Sequence, residues 1–137
     1  MINILFPLDD VPGGIAILSN ADLLKQCKDV HKLIQILENK SDYINEDYVF
    51  LWGNYLEFLK EYCNLCIFFL KERKIATLYD YKYISNGEYN SPEWIYNQEL
   101  HSNHRAYLLH HDSKYYSNFY WNELPSEVFT QCPFNIV

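Results

Sequence analysis

A chain of 137 residues has room for one domain that buries its own core without disulfides or a structural metal. Its 49% apolar and 18% aromatic residues exclude a disordered segment, and its longest apolar run, Leu65 to Leu70, is far short of the roughly 20 residues that cross a bilayer. Eleven Lys and Arg against 18 Asp and Glu give a net charge of -7, which excludes a uniformly basic nucleic-acid coat and leaves room only for a local basic face.

In chain order, the first twelve residues read as an irregular or extended arm that ends at Pro12-Gly13-Gly14. A first helix is expected from Asn20, as N-cap, to about Glu38, with Leu23, Leu24, Cys27, Val30, Leu33, Ile34 and Leu37 on a 3.6-residue period. Asn39 to Asp47 is a polar loop. A second helix runs from about Tyr48 to Lys74, burying Leu51, Tyr55, Phe58, Leu59, Tyr62, Leu65 and Cys66 and closing in a cationic turn. Ile75 to Pro92 is tyrosine-rich, with a turn at Asn86-Gly87, and reads as a helical turn plus loop or as a hairpin. A third helix starts at Pro92 or Gln98 and ends at His111. A short turn or helix spans Ser113 to Phe119, and the tail from Asn122 is irregular. The fold class that follows is mainly α: a compact helical bundle of about three main helices with long loops, one domain over 1–137.

Several side-chain groups carry chemistry. His101, His104 and Arg105 share a helix face and suit an anion, a phosphate or a moving proton; equally, they suit a histidine hydrogen-bonded in the core and an arginine paired to an acid. Lys25, Lys28 and Lys32 recur at helical spacing around His31, with Asp29 among them as an ion-pair partner or a functional acid. His110 and His111 fit a helix C-terminus as complements to its dipole. Trp52, Trp94 and Trp121 read as core anchors or as stacking platforms for a base. Cys63-x-x-Cys66 with His101-x-x-His104 could be drawn as a zinc site, but the histidine spacing is poor and both cysteines sit in an apolar helix, so no metal is expected. The start of the chain lacks a secretory pattern, and four cysteines are too sparse for a disulfide scaffold. The expected setting is the cytoplasm, or the inside of a host cell.

Three blocks, in one order, carry a family resemblance. His101-x-x-His104-Arg105-x-x-Leu108-Leu109, followed by Asp112, Tyr116, Phe119 and Trp121, resembles the C-terminal signature of a short bacterial and viral branch of the pyrimidine-dimer DNA glycosylases (endonuclease V type). Leu5-Phe6-Pro7, Asp10, Leu18, Leu24-Lys25-Gln26, Asp29 and Ile34-Gln35-Ile36-Leu37 are similar to its N-terminal part, and Val49 to Tyr55 to its middle. The resemblance implies a DNA repair glycosylase with AP-lyase activity on damaged DNA, working without a cofactor on a base turned out of the stack. It implies a Schiff base on the N-terminal amine, here that of Met1, or of Ile2 if Met1 is removed. It also implies Asp29 as the acid, with Lys25, Gln26, Lys28, His101, His104 and Arg105 toward the DNA.

Four departures from the family pattern stand out. Ile2 is bulky where a phage member exposes a small residue, and Asp29 is a methylene shorter than Glu. Cys27 stands in place of an Arg, and Asn45-Glu46-Asp47 in place of Asn-His-Pro. Two alternatives therefore stay open: a catalytically lapsed relative that binds nucleic acid, or an accessory protein that meets a protein partner through its acidic surface.

Overall fold

The computed structural model describes residues 2–38, 46–77, 83–84 and 90–132. The described residues are mainly helical and carry no strand. In chain order the helices are α1 (Val11–Ala16), α2 (Asn20–Leu37), α3 (Glu46–Trp52), α4 (Leu56–Glu72), α5 (Gln98–His111) and α6 (Ser113–Tyr116). Single 3-10 turns at Glu93–Tyr96 and Ser117–Phe119 flank α5 and α6.

The pairing of α2 with α4 is the most extensive between helices. Both are amphipathic, and Leu23, Cys27, Val30, Leu33 and Ile34 share one buried cluster with Leu59, Cys63, Cys66, Ile67 and Leu70. Leu100, Leu108 and Leu109 of α5 and Ile4, Leu5 and Phe6 of the arm join it. Trp52 is fully buried, while Trp94 and Trp121 are partly buried and packed on the cluster. Cys27, Cys63 and Cys66 act as small apolar side chains inside it. The Cys63 thiol donates to the Cys27 sulfur, which holds the Cys27 pKa down, and burial pushes that of Cys66 up.

Three expectations change. The arm does not stay irregular through Gly14: it coils into α1, with Pro12 in the first turn, where its missing N–H leaves no bond unmade. Gly13 and Gly14 permit that tight entry. A Cβ on Gly13 would sit 2.6 Å from the Asp10 carboxylate, and one on Gly14 3.3 Å from the Pro7 ring. The expected helix from Tyr48 to Lys74 is two helices. Gly53 and Asn54 are weak helix formers, and Tyr55 leaves helical geometry at φ -124°, ψ 28°, so the chain turns before α4. Ser19, not Asn20, caps α2, its hydroxyl accepting from the Asp22 N–H.

In the cationic turn after α4, Lys71 and Lys74 are exposed and Arg73 is half-buried. The Arg73 guanidinium donates to the carbonyls of Ala16 and Leu18 and to the Asn20 side chain, fixing the α1–α2 corner on the end of α4. Lys74 follows in the left-handed region at φ 58°. The expected turn at Asn86-Gly87, and most of the tyrosine-rich segment, lie outside the described residues.

Candidate functional site

An extended segment buried without a neighbouring strand must find other partners for its backbone. Residues 3–7 find them entirely in side chains. Gln26 reads one edge, accepting from the Leu5 N–H at 2.9 Å and donating to the Asn3 carbonyl at 2.7 Å. Gln131 reads the other, accepting from the Ile4 N–H and donating to the Ile4 carbonyl, both at 2.7 Å. The Tyr62 hydroxyl shares its proton between the Leu5 carbonyl and the Gln26 amide oxygen. The Phe6 N–H donates to His104 Nδ1 at 2.8 Å, and the Phe6 carbonyl accepts from His101 Nδ1 at 2.7 Å. The Pro7 carbonyl accepts from Arg105. From the Asn3 carbonyl to the Pro7 carbonyl, every backbone donor and acceptor is met. One residue earlier, the Ile2 N–H donates to the Tyr48 hydroxyl of α3 at 3.0 Å.

These bonds fix protonation states. His104 Nδ1 accepts, so its proton sits on Nε2 and goes to the Thr130 carbonyl at 2.7 Å. Protonating Nδ1 would break the bond from Phe6, and burial holds the His104 pKa down to about 4. The ring lies between Phe129, at 4.5 Å between centroids, and Phe6. His101 must carry its proton on Nδ1, leaving a buried Nε2 with no hydrogen-bond partner among the described residues. Arg105 meets both oxygens of Glu123 at 2.9 Å, and this guanidinium is the main cause of the lowered Glu123 pKa.

The side chains expected at DNA therefore separate into two groups. Gln26, His104 and Arg105 direct their polar atoms at the arm, at Glu123 and at the tail, and His101 gives its Nδ1 to the arm, so these side chains are engaged by the protein, with His101 Nε2 alone left over among them. Lys25 and Lys28 are exposed on α2, as is Lys32. The exposed positions of that helix, Asn20, Ala21, Leu24, Lys25, Lys28 and Lys32, hold three cations and no anion. Its two acids, Asp22 and Asp29, face inward, with Asp29 buried and paired to Lys25. Ile2 is half-buried beside Tyr48, and Met1 lies outside the described residues. His31, amid the lysines, is buried against the Tyr83 hydroxyl, and burial lowers its pKa.

A small cavity of about 50 Å³ opens where the arm, α2 and α5 meet, lined by Asn3, Leu5, Asp22, Lys25, Gln26, Tyr107 and His111. Sequence reasoning gave no site role to Asp22, Tyr62, Gln131 or Tyr107, and read His111 as a dipole complement. One signal was available. Asp22, Gln26 and Asp29 recur at helical spacing among positions that the apolar period assigns to the interior, and polar groups there need partners.

Comparison with known proteins gives one match. The pyrimidine dimer DNA glycosylase family profile matches residues 5–82, a span that holds the end of the arm, all of α2 and α4, and the inward-facing acids. No curated protein and no solved structure matches the chain.

Proposed function

The chain belongs to the pyrimidine dimer DNA glycosylase family, and on that premise we propose that it excises damaged bases from DNA and cuts the abasic strand through a Schiff base on its terminal amine. The observation that carries this reading is the arm. Six side chains from α2, α4, α5 and the tail hold residues 3–7 by their backbone, whatever side chains the arm itself bears. Such a device restricts the position of whatever precedes Asn3, and a positioned amine is what imine formation needs. A terminal amine, with an ordinary pKa of roughly 7.7–8, is partly neutral near pH 7 and so nucleophilic.

In this reading the amine attacks C1′ of the damaged nucleotide, the base leaves, and Asp29 stabilises the positive charge that develops on the sugar. Lys25 and Lys28, with Lys32, contact phosphates along the exposed face of α2. An all-cationic face in a chain of net charge -7 favours a DNA contact over an acidic docking surface. Asp29 is buried beside this face and paired to Lys25, so its charge is held next to the proposed phosphate contacts.

The test is nicking of UV-irradiated supercoiled plasmid, with unirradiated plasmid beside it. Cleavage of the irradiated DNA alone is expected. Binding without cleavage would instead identify the chain as a lapsed relative, and absence of both would end the DNA reading. Binding should also weaken with salt at a log–log slope of roughly -2.7, from three phosphates at about -0.9 each. Replacing Lys25, Lys28 and Lys32 by Ala should bring that slope close to zero, measured by fluorescence anisotropy on an abasic duplex.

A further inference from the structure

His111 ends α5 with its Nε2 3.1 Å from Oδ1 of Asp22, across the cavity mouth. Asp22 is 6% exposed, and its second oxygen accepts from the Tyr116 hydroxyl at 2.6 Å. That hydroxyl in turn accepts from the Ser19 N–H at 3.0 Å. The carboxylate is thus locked, and it can only accept, so it holds the imidazole proton on Nε2 and leaves a lone pair on Nδ1. The Tyr107 ring lies parallel to the imidazole within 4°, fixing its plane. His111 is half exposed, and its Nδ1 has no hydrogen-bond partner among the described residues. A helix-end histidine that merely complemented a dipole would need neither a buried acid nor a stacked ring.

The same cavity is lined by Asn3. Two residues of chain span at most about 7 Å, so a terminal amine on Met1 stays within that reach of the Asn3 nitrogen. We propose that His111, oriented by Asp22, is the base that removes the C2′ proton of the sugar in the strand-cutting step. This rests on the Schiff-base reading above. With C1′ held as an iminium, the C2′–H bond breaks and its proton goes to Nδ1. The electron pair forms the C2′–C3′ double bond, and the C3′–O bond breaks with its pair leaving on the phosphate. Asp29 is less suited to this role because the Lys25 ammonium already occupies it.

The charged and titratable groups around His111 are Asp22 and Lys25 of α2, Tyr116 of α6 and Tyr107 of its own helix. Asp112, next in the chain, is turned to cap the Tyr115 N–H. Asp22 is a positioning residue here and His111 the catalytic one.

The experiment uses the whole, tag-free chain on an abasic-site duplex with two readouts: borohydride trapping of the imine, and single-turnover nicking without borohydride. His111→Ala should trap within about twofold of the unaltered protein and nick about 100-fold more slowly. Added imidazole should restore part of the nicking, and His111→Gln should be slow without that rescue. In Asp22→Asn, whose amide can donate as well as accept, the nitrogen-15 shifts of His111 should change from the Nε2–H tautomer to a mixture, with slower nicking. A trapping protein whose His111→Ala variant nicks at the unaltered rate, or loses trapping and nicking in parallel without rescue, overturns the role of His111 alone. An unaltered protein that forms no adduct overturns the Schiff-base reading and this step with it.

Discussion

Lowering the pH from 7 to 4 should remove about 3 kcal/mol of folding stability through one side chain, His104. In the unfolded chain its imidazole titrates near 6.5, whereas in the folded chain its pKa is held down to about 4. Between those values the unfolded state binds the additional proton, so the contribution is complete above pH 6.5 and disappears as pH falls toward 4. A fall of about 2.5 pH units at roughly 1.4 kcal/mol each gives the estimate. Buried His31 shifts in the same direction and steepens the loss. Urea unfolding at pH 7 and at pH 4.5 measures it. His104→Asn, which keeps an acceptor but has no proton to gain, should be less stable at pH 7 and lose less over that interval, keeping the share that His31 and Glu123 contribute. An imidazole signal of His104 that titrates near 6.5 in the folded protein would contradict the account.

The second large effect is on the arm. Gln26→Leu keeps the volume and apolar fit but leaves the buried Leu5 N–H and the half-buried Asn3 carbonyl without their partner. Two unmet backbone groups at about 1–3 kcal/mol each predict a loss of about 2–6 kcal/mol, read by urea unfolding. Strand cutting should fall further than stability explains. If the arm relaxes by about an ångström, positioning alone loses roughly 100-fold in rate. Measured under conditions where the variant is still folded, a cutting rate equal to that of the unaltered protein would show that the arm does not position the reacting group.

The helices were legible where one period dominates. α2 falls almost where apolar spacing puts it, because its buried stripe is continuous, and α5 takes the second of its two expected starts, Gln98, where Asn97 caps it. The break at Gly53 was legible in principle, but the strong apolar run on either side of it masked the weak formers at its centre. The role of His101, His104 and Arg105 was not legible beyond its two alternatives. Residue type and spacing are the same for a phosphate clamp and for a backbone clamp, and the partners that decide between them, Phe6 and Pro7, lie more than 90 positions away. The structure displays the quieter alternative, a histidine bonded in the core and an arginine paired to an acid. Gln131 shows the same limit from the other side: nothing local marks a tail glutamine as the partner of both polar groups of Ile4. His111 is the reverse case. Its position at a helix end supplied a sufficient explanation, and only the fold brings a buried acid to it.

The central claim is that the clamped arm presents a reactive amine to damaged DNA. Borohydride trapping on an abasic-site oligonucleotide tests it most directly, with the purified tag-free protein beside an N-terminally acetylated sample and intact mass identifying the first residue. The account predicts a covalent adduct that disappears on acetylation. A folded protein that forms no adduct while a known glycosylase traps in parallel would contradict it, and so would an adduct that survives acetylation, which would assign the amine to a lysine side chain.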